Sequence, residues 1–384
     1  MTRSLPPEIL DIVVDHLYDE PTTLRTCCLV SKSWVPRSRT HLFAHVTFSH
    51  SSVERWMKAF PDPLNSPAHY TRTLTLRGHR LVAIAGPVPR IRAFSFHNLV
   101  NLSIHSESNG SGGDQVSLVP FHGLPPTIRS LRLALSQAQP SEVFGLICSF
   151  PILEDLELFA FGYRNEVDGW TPPSTSPRLT GSLQLHSMGG GISPIARRLL
   201  DLPNGLNFTK IVLSCVDDET DSKAITDLVS GCSDTLESLD VSDYFPGKFS
   251  SFPAPDRYLT AVPLYSDLST AASFNLSTAT KLKYLVFQCG RPNVQWVTEA
   301  LQTVESKDLE RITVRPDSNG FTEPYRQQWH DLDRLLVQLW ISHSIRPKVT
   351  YRAGEIRKDT RDYASSLLPE LTKGGLVDLV ECER

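Results

Sequence analysis

Residues 224–242, AITDLVSGCSDTLESLDVS, carry the pattern that decides the fold. Apolar residues first recur at helical spacing. They then form the hexad Leu236-Glu-Ser-Leu239-Asp-Val241, whose last two apolar residues lie two apart, as on one face of a strand. Gly231 stands between the two patterns, where a helix is expected to end in a left-handed cap. The stretch therefore predicts a helix, a turn and a strand in close succession.

The same hexad recurs along most of the chain. It occupies residues 71–76, 99–104, 128–133, 153–158, 180–185, 208–213, 282–287 and 309–314. Neighbouring hexads lie 25 to 29 residues apart, except for one interval of 46 residues between those at 236 and 282. A period in the upper twenties is typical of one strand and one returning helix or loop per repeat, with neighbours burying each other's apolar faces.

Helices and a closing segment are predicted around these strands. Helical spacing appears at residues 52–60, 141–150, 194–202, 222–229, 294–304 and 325–341. Residues 45–48 are predicted to be a short strand and residues 348–351 a tenth repeat strand. Residues 359–371 and 376–380 are expected to cap the stack, because the last repeat would otherwise expose its core.

The repeats resemble the leucine-rich-repeat family, and residues 224–242 resemble its cysteine-containing variety, which is found in many F-box proteins. The resemblance implies an α/β solenoid with a parallel concave sheet and outer helices. The asparagine ladder of the longer-known repeats is missing, and Thr71 and Thr180 replace the first apolar residue of their hexads. The surplus of the long interval, within residues 242–281, predicts a loop that either binds a partner or packs its aromatic residues on a flank.

A different pattern occupies residues 5–43, LPPEILDIVVDHLYDEPTTLRTCCLVSKSWVPRSRTHLF. Pro6 and Pro7 favour the first turn of a helix, and apolar residues at spacings of three and four follow on one stripe. Pro21 and Ser31 stand near the expected starts of two further helices. Three short helices bury little apolar surface, so we expect part of that surface to meet another protein.

This segment resembles an F-box, in the variant abundant in mushroom-forming fungi. The resemblance implies an F-box at residues 1–48, a repeat solenoid at 49–384, and docking on the Skp adaptor of a cullin-based ubiquitin ligase. The family motif places the adaptor-binding positions at Leu5, Pro6, Ile9, Ile12, Leu24, Val30 and Trp34. The alternative is that these three helices only cap the solenoid.

The resulting hypothesis is a substrate-recognition subunit whose concave repeat face binds a protein target of mixed charge. It would be a non-catalytic subunit. The outward hexad positions predicted to bind the target are Arg129, Arg132, Glu154, Asp155, Glu157, Lys210, Glu237, Asp240, Lys283, Tyr284, Glu310 and Arg311. The rival hypothesis is a repeat scaffold that binds proteins without acting in ubiquitination.

Composition narrows the other function classes. Hydrophobic residues make up 40% and charged residues 21% of the 384 residues, as in globular proteins. The net charge of −4 and the lack of a long basic run argue against nucleic acid as a partner. No apolar run is long enough for a membrane span or a signal peptide, and seven scattered cysteines fit a reducing compartment. We therefore expect an intracellular protein of the cytoplasm or nucleus.

No pattern of residues predicts an enzyme, a metal site or a cofactor. His41 and His45 share a helical spacing but lack a third ligand nearby in sequence. Residues 188–191, Met-Gly-Gly-Gly, precede a helix without the lysine of a phosphate-binding loop, so a turn between repeats is expected. The acidic run at 217–221 lacks the spacing of a calcium loop and is expected to favour the start of the next helix.

Overall fold

The computed structural model describes residues 6–78, 96–106, 117–135, 138–160, 171–172, 177–187, 191–214, 219–242, 274–289, 293–316, 325–343, 345–353, 362 and 365–381. These residues form two compact units that divide at Leu156 and Glu157. The first unit holds the described residues up to Leu156, and the second holds those from Glu157 onward apart from a short stretch ending at Pro177. The predicted loop within the long interval and Leu5 lie outside the described residues.

Three short helices open the first unit: α1 Pro7–Asp15, α2 Pro21–Val30 and α3 Val35–Leu42. Each has a proline in its first two positions, where the missing N–H costs nothing and the fixed φ favours the helix. Helix α3 packs against both α1 and α2. The buried apolar side chains of the three helices are few: Val14, Leu24 and Cys27.

The strands of the first unit are parallel and paired in chain order. They are β1 His45–Phe48, β2 Thr73–Arg77, β3 Asn101–Ser106 and β4 Ser130–Leu135, with helix α4 His50–Ala59 after β1 and helix α5 Pro140–Cys148 after β4. Strand β5, Ile152–Ala160, begins in this unit, where the N–H groups of Glu154 and Asp155 donate to the Arg129 carbonyl.

The second unit continues the same alternation of strand and helix. Its elements are β6 Arg178–Ser187, α6 Ser193–Leu200, β7 Leu206–Ser214, α7 Glu219–Gly231, β8 Ser238–Ser242, β9 Tyr284–Cys289, α8 Gln295–Gln302, β10 Arg311–Pro316, α9 Arg326–His343, β11 Arg346–Ala353, α10 Pro369–Lys373 and β12 Val377–Glu381. Strands β6 to β12 pair in that order, all in parallel. The long interval does not interrupt the sheet, because Ser238 on β8 lies directly opposite Tyr284 on β9.

The α/β class and the solenoid-like parallel sheet with outer helices are confirmed. The last four residues of each predicted hexad lie on a strand, and the last two apolar residues are buried, as Leu239 and Val241 are on β8. The short strand predicted at residues 45–48 is present as β1, and it pairs with the first repeat strand. Where a terminal cap was expected, β12 adds a further strand that pairs with β11.

The expected left-handed cap at Gly231 is wrong. Gly231 is the last residue of α7, and the described glycines with left-handed backbone lie elsewhere, among them Gly191 and Gly205. A Cβ at Gly231 would lie 2.9 Å from the Leu200 Cδ2 atom, so the end of that side chain would have to shift. The glycine therefore leaves room for the Leu200 side chain of α6, and its backbone is not left-handed.

Hydroxyl groups join neighbouring repeats. One to three residues ahead of a hexad, a hydroxyl donates to the carbonyl of the first hexad residue in the preceding repeat. In the first unit Thr127 donates to Leu99 over 2.7 Å. In the second unit Thr235 donates to Phe208 over 3.0 Å, and Ser306 donates to the carbonyl of residue 282 over 2.8 Å. The chain lacks an asparagine ladder, and these hydroxyl groups supply hydrogen-bond donors to carbonyls that would otherwise bind water.

A buried carboxylate joins α7 to α6. Asp221 is fully buried, and its Oδ1 atom accepts hydrogen bonds from the backbone N–H groups of Ile192 at 2.8 Å and Ser193 at 3.0 Å. It therefore satisfies two amides at the start of α6 that have no partner within that helix. Gly191 lies against the carboxylate with φ +73°, and a Cβ there would be 2.8 Å from Oδ1.

Two further acceptors repeat this arrangement from one helix to the preceding element. The Glu142 Oε2 atom on α5 accepts from the Leu118 N–H at 2.7 Å, at the start of the short 3-10 turn Val119–Gly123. The Gln328 Oε1 atom on α9 accepts from the Val294 N–H at 3.1 Å, at the start of α8. In each case the side chain comes from the next helix along the chain, so the start of one element depends on its successor.

Candidate protein-binding surfaces

Exposed apolar side chains are concentrated on the first two helices. Ile9, Ile12 and Val13 on α1 are 44%, 53% and 43% exposed, and Leu29 and Val30 at the end of α2 are 87% and 64% exposed. Together with Tyr18 they make up six of the eleven large hydrophobic residues that are exposed among the described residues. An exposed group of this kind is a common mark of a surface that another protein covers.

The predicted adaptor-binding positions divide between surface and core. Pro6, Ile9, Ile12 and Val30 are exposed, whereas Leu24 is 1% exposed and Trp34 is partly buried. The four exposed residues are available to a partner directly. Leu24 belongs to the small core, so its contribution to any docking would come through the fold of the three helices.

Val13 and Leu29 are exposed apolar residues of this surface that the F-box-like motif does not include. Val13 falls within the predicted apolar stripe of α1, and Leu29 immediately precedes Val30 in a helix of weak amphipathic pattern. Only the packing of α3 against both neighbours shows which side of each helix stays open.

An ion cluster fixes α3 to α1. Asp15 accepts from the Arg37 Nε and Nη2 atoms at 2.5 Å each, and its Oδ1 lies 2.7 Å from His41 Nε2. The hydrogen bonds from Arg37 hold the pKa of the Asp15 carboxyl at about 2. Burial opposes that shift, and the bond with His41 adds to it. A bidentate arginine–carboxylate pair also sets the orientation of the two helices.

The carboxylate of Asp15 thus binds His41, a contact that the sequence did not predict because the two residues are 26 positions apart. No group of three or more potential metal ligands occurs within the part of the chain that the structure describes. The position at the start of α6 where an anion could bind is filled by Asp221, next to Gly191 of the glycine run. Asp217 and Asp218 of the acidic run lie outside the described residues.

The outward sheet face of the first unit carries basic side chains beside a neutral histidine. Burial, then the charges of Arg132 and Arg77, hold the pKa of His105 at about 4, so its ring is uncharged at neutral pH. The His105 Nε2 atom lies 2.6 Å from the Ser103 hydroxyl. Arg132, predicted to bind the target, lies on this face opposite Ser103 in the register of β3 and β4.

Three other predicted residues of the first unit lie near the strand starts. Arg129 precedes β4, and its carbonyl holds the N–H groups of Glu154 and Asp155. Both acidic residues are exposed, and Arg129 is partly buried. The acidic pair therefore borders the basic part of this face on the β5 side.

In the second unit, several predicted target-binding residues bind one another. Lys283 and Glu237 form an ion pair of 3.0 Å, and the Tyr284 hydroxyl donates to Glu310 over 2.9 Å. The hydrogen bond to Glu237 raises the pKa of Lys283, and the bond to Glu310 raises the pKa of Tyr284. These four residues form a ladder across β8, β9 and β10, at or just ahead of the first residue of each strand.

Glu157 takes part in a cluster that the sequence patterns did not reveal. Its Oε1 atom lies 3.7 Å from the Nε2 atom of His186, whose ring stacks on Phe159 with centroids 4.5 Å apart. The Nδ1 atom of His186 is 3.1 Å from the Ser214 hydroxyl. Ser214 is 2% exposed, so this serine is placed for packing between repeats and is out of reach of a substrate.

The remaining predicted residues, Lys210, Asp240 and Arg311, lie on outward strand positions. Lys210 and Arg311 are exposed. Asp240 accepts from the Gln288 Nε2 atom at 2.9 Å, and burial raises the pKa of its carboxyl despite the opposing effects of Gln288, Arg315 and Lys210. Register alone could not have revealed the partial burial of Asp240, which depends on the neighbouring side chains.

Comparison with known proteins gives no family assignment: no protein-family model matches the chain, and a search of curated proteins finds no match. Among the helices that the structure describes, none combines the length and apolar character needed to cross a bilayer.

Proposed function

We propose that this protein is the substrate-recognition subunit of a cullin-type ubiquitin ligase. In this proposal the three N-terminal helices bind the Skp adaptor as an F-box, and the outward faces of the repeat strands bind a protein target. The observation that carries the proposal is the exposed apolar group on α1 and α2, which includes Ile9, Ile12 and Val30 of the F-box-like motif.

The remaining structure supports separate roles for the apolar surface of α1 and α2 and for the outward face of the repeat strands. The small helical core with Leu24 and the Asp15–Arg37 cluster hold the apolar side chains in place without covering them. The repeat strands offer a long row of polar positions. The protein would accelerate ubiquitin transfer by holding the target near the transfer machinery, which raises its effective concentration, and would supply no catalytic group.

The test is capture of the Skp adaptor and cullin by the tagged full chain. The variant Ile12→Asp/Val30→Asp places charges on the exposed group without touching the core. Burying either charge against an apolar adaptor surface is costly, so capture should fall at least about tenfold, equivalent to about 1.4 kcal/mol. The matched control is Leu64→Asp/Val119→Asp, two exposed aliphatic positions outside the three helices.

The result separates the ligase subunit from a repeat scaffold. Capture by the parent and the control, with loss in the Ile12/Val30 variant, supports the proposal. If the folded parent captures neither adaptor nor cullin, the ligase assignment fails and the scaffold becomes the better account. Circular dichroism of all three proteins ensures that a change in capture is not a change in folding.

A further inference from the structure

Four cationic side chains share the outward face of strands β7, β10 and β11. They are Lys210, Arg311, Arg315 and Lys348. The register places Lys210 and Arg311 in one row across the sheet, with Ser238 and Tyr284 between them. Three strand spacings separate the two charges, about 14 Å, and Arg315 lies about 13 Å from Arg311 along β10.

Acidic side chains are nearly absent from the same strands. Among β7 to β11, the sequence contains only one, Asp240, which is partly buried and hydrogen-bonded to Gln288. Glu237 and Glu310 lie one residue ahead of their strands and are engaged by Lys283 and Tyr284. The face is therefore positive although the whole chain has a net charge of −4.

We infer that this face binds an extended, acidic segment of the target protein. The inference rests on the proposed function and specifies the chemistry of its target. In an extended peptide, residues four apart on one side are about 13 Å apart, which matches the distance from Lys210 to Arg311. Tyr284, 38% exposed, lies between the two charges and offers its ring to the peptide backbone or to an apolar side chain.

The acidic border of the row favours a peptide over a nucleic acid. Glu237 is paired with Lys283, but Glu310 accepts from the neutral Tyr284 hydroxyl, so its charge beside Arg311 would repel a phosphate backbone that carries a charge every 3.4 Å or so per strand. A peptide can place a neutral or basic residue opposite Glu310 and acidic residues opposite Lys210 and Arg311. The mixed-charge target expected from the sequence is thus narrowed to a target segment with spaced negative charges.

The inference is tested with the full chain and fluorescein-labelled 13-residue peptides, by fluorescence anisotropy. One peptide carries Glu at every fourth position among Ser, Thr and Gly residues. A second has phosphoserine at those positions, a third has Gln, and an oligothymidylate of equal charge is the fourth probe. The Glu or phosphoserine peptide should bind at least tenfold more tightly than the Gln peptide, and the stronger of the two identifies the anionic group. That binding should weaken as salt rises.

Charge reversal locates the site. Lys210→Glu/Arg311→Glu/Arg315→Glu should weaken binding of the acidic peptide at least tenfold. The matched control Arg197→Glu/Lys223→Glu/Arg334→Glu, on the outer helices α6, α7 and α9, should stay within twofold of the parent. Circular dichroism of both triple variants establishes that they are folded.

Each other outcome overturns the inference. Equal binding of the Gln peptide, no binding of either acidic peptide, or equal loss in the control variant removes the charged face as the determinant. Tighter binding of the oligothymidylate, lost with the same triple reversal, makes it a nucleic-acid surface instead. Adaptor capture is measured on the same proteins: if capture fails while peptide binding persists, the ligase proposal fails and the binding face stands.

Discussion

Removal of the Asp221 carboxylate should weaken the second unit and expose the start of α6. The variant Asp221→Ala leaves the N–H groups of Ile192 and Ser193 without their acceptor in a buried setting. Losing a helix cap costs about 1 kcal/mol, and each buried donor left unsatisfied costs about 1–3 kcal/mol. Since the vacated space lets water reach at least one amide, we expect a total loss of about 2–3 kcal/mol.

Two measurements check this loss. In a unit of 150–250 residues, 1 kcal/mol shifts the melting temperature by about 2–4 °C, so the variant should melt about 5–10 °C lower. Hydrogen exchange gives the local result: the Ile192 and Ser193 amides should lose protection by a larger factor than amides at the centre of α6. Asp221→Asn, which keeps one oxygen acceptor, should lose about half as much stability.

Asp227→Ala is the matched control on the same helix. Asp227 forms only an exposed pair with Lys223 at 3.1 Å, a type of pair that contributes less than about 1 kcal/mol. If Asp221→Ala melts within 1 °C of this control and the two amides keep their protection, the carboxylate does not hold the start of α6. The two helices α6 and α7 would then not be connected through this side chain.

A double-mutant cycle with Gly191→Ala sharpens the same test. Alone, this substitution places a Cβ 2.8 Å from the Asp221 Oδ1 atom at a left-handed backbone position, which costs about 1–2 kcal/mol before the clash is counted. Together with Asp221→Ala the clash disappears, so the two losses should sum to more than the loss in the double variant. Strict additivity would contradict the observed contact.

Three further predictions concern the helices and the hydroxyl bonds. The folded pKa of Asp15 is about 2, below the ordinary value of 3.8, so its contribution to folding stability is complete above pH 4 or so and is lost as pH falls toward 2. Asp15→Asn should therefore remove part of the acid sensitivity of α1 that hydrogen exchange measures. The effect is reduced by solvent screening, because the Asp15 side chain is 36% exposed. Leu24→Ala, in the small core, should cost about 2–4 kcal/mol and weaken adaptor capture together with the helical protection of α2, whereas Ile12→Asp should weaken capture and leave that protection unchanged. Thr235→Val should destabilise the second unit by about 1 kcal/mol in urea unfolding, and an unchanged midpoint would show that its bond to the Phe208 carbonyl is exchangeable for water.

The sequence predicts the repeat strands well because two local rules agree. In the hexad ending at Val241, the alternation of apolar and polar residues determines which face of the strand is buried. The regular repeat length determines which strand lies beside it, so both the burial and the parallel pairing can be predicted. The first and last strands are harder to predict as part of the sheet. Strand β1 has only four residues, His45–Phe48, and its place beside β2 depends on a chain path that no hexad marks.

The candidate surfaces are only partly predictable. A motif names Leu24 and Ile12 together, yet packing puts Leu24 in the core and leaves Ile12 exposed. Similarly, the hexad pattern places both Glu237 and Lys210 on the outward face. Glu237 forms an ion pair with Lys283, whereas Lys210 lies in the row of outward residues that includes Ser238. These distinctions depend on contacts between residues that are far apart in sequence, which periodicity does not contain.

The connections between neighbouring repeats bear on how such a chain can evolve. Asp221 holds the start of the helix before its own, and Thr235 binds the strand before its own, so this repeat carries side chains that complete its predecessor. Tandem duplication of a whole repeat would copy both the acceptors and the groups they serve, and the new junction would be complete at once. Exchange with an unrelated repeat would leave two junctions incomplete, which favours growth by duplication over recombination with foreign repeats.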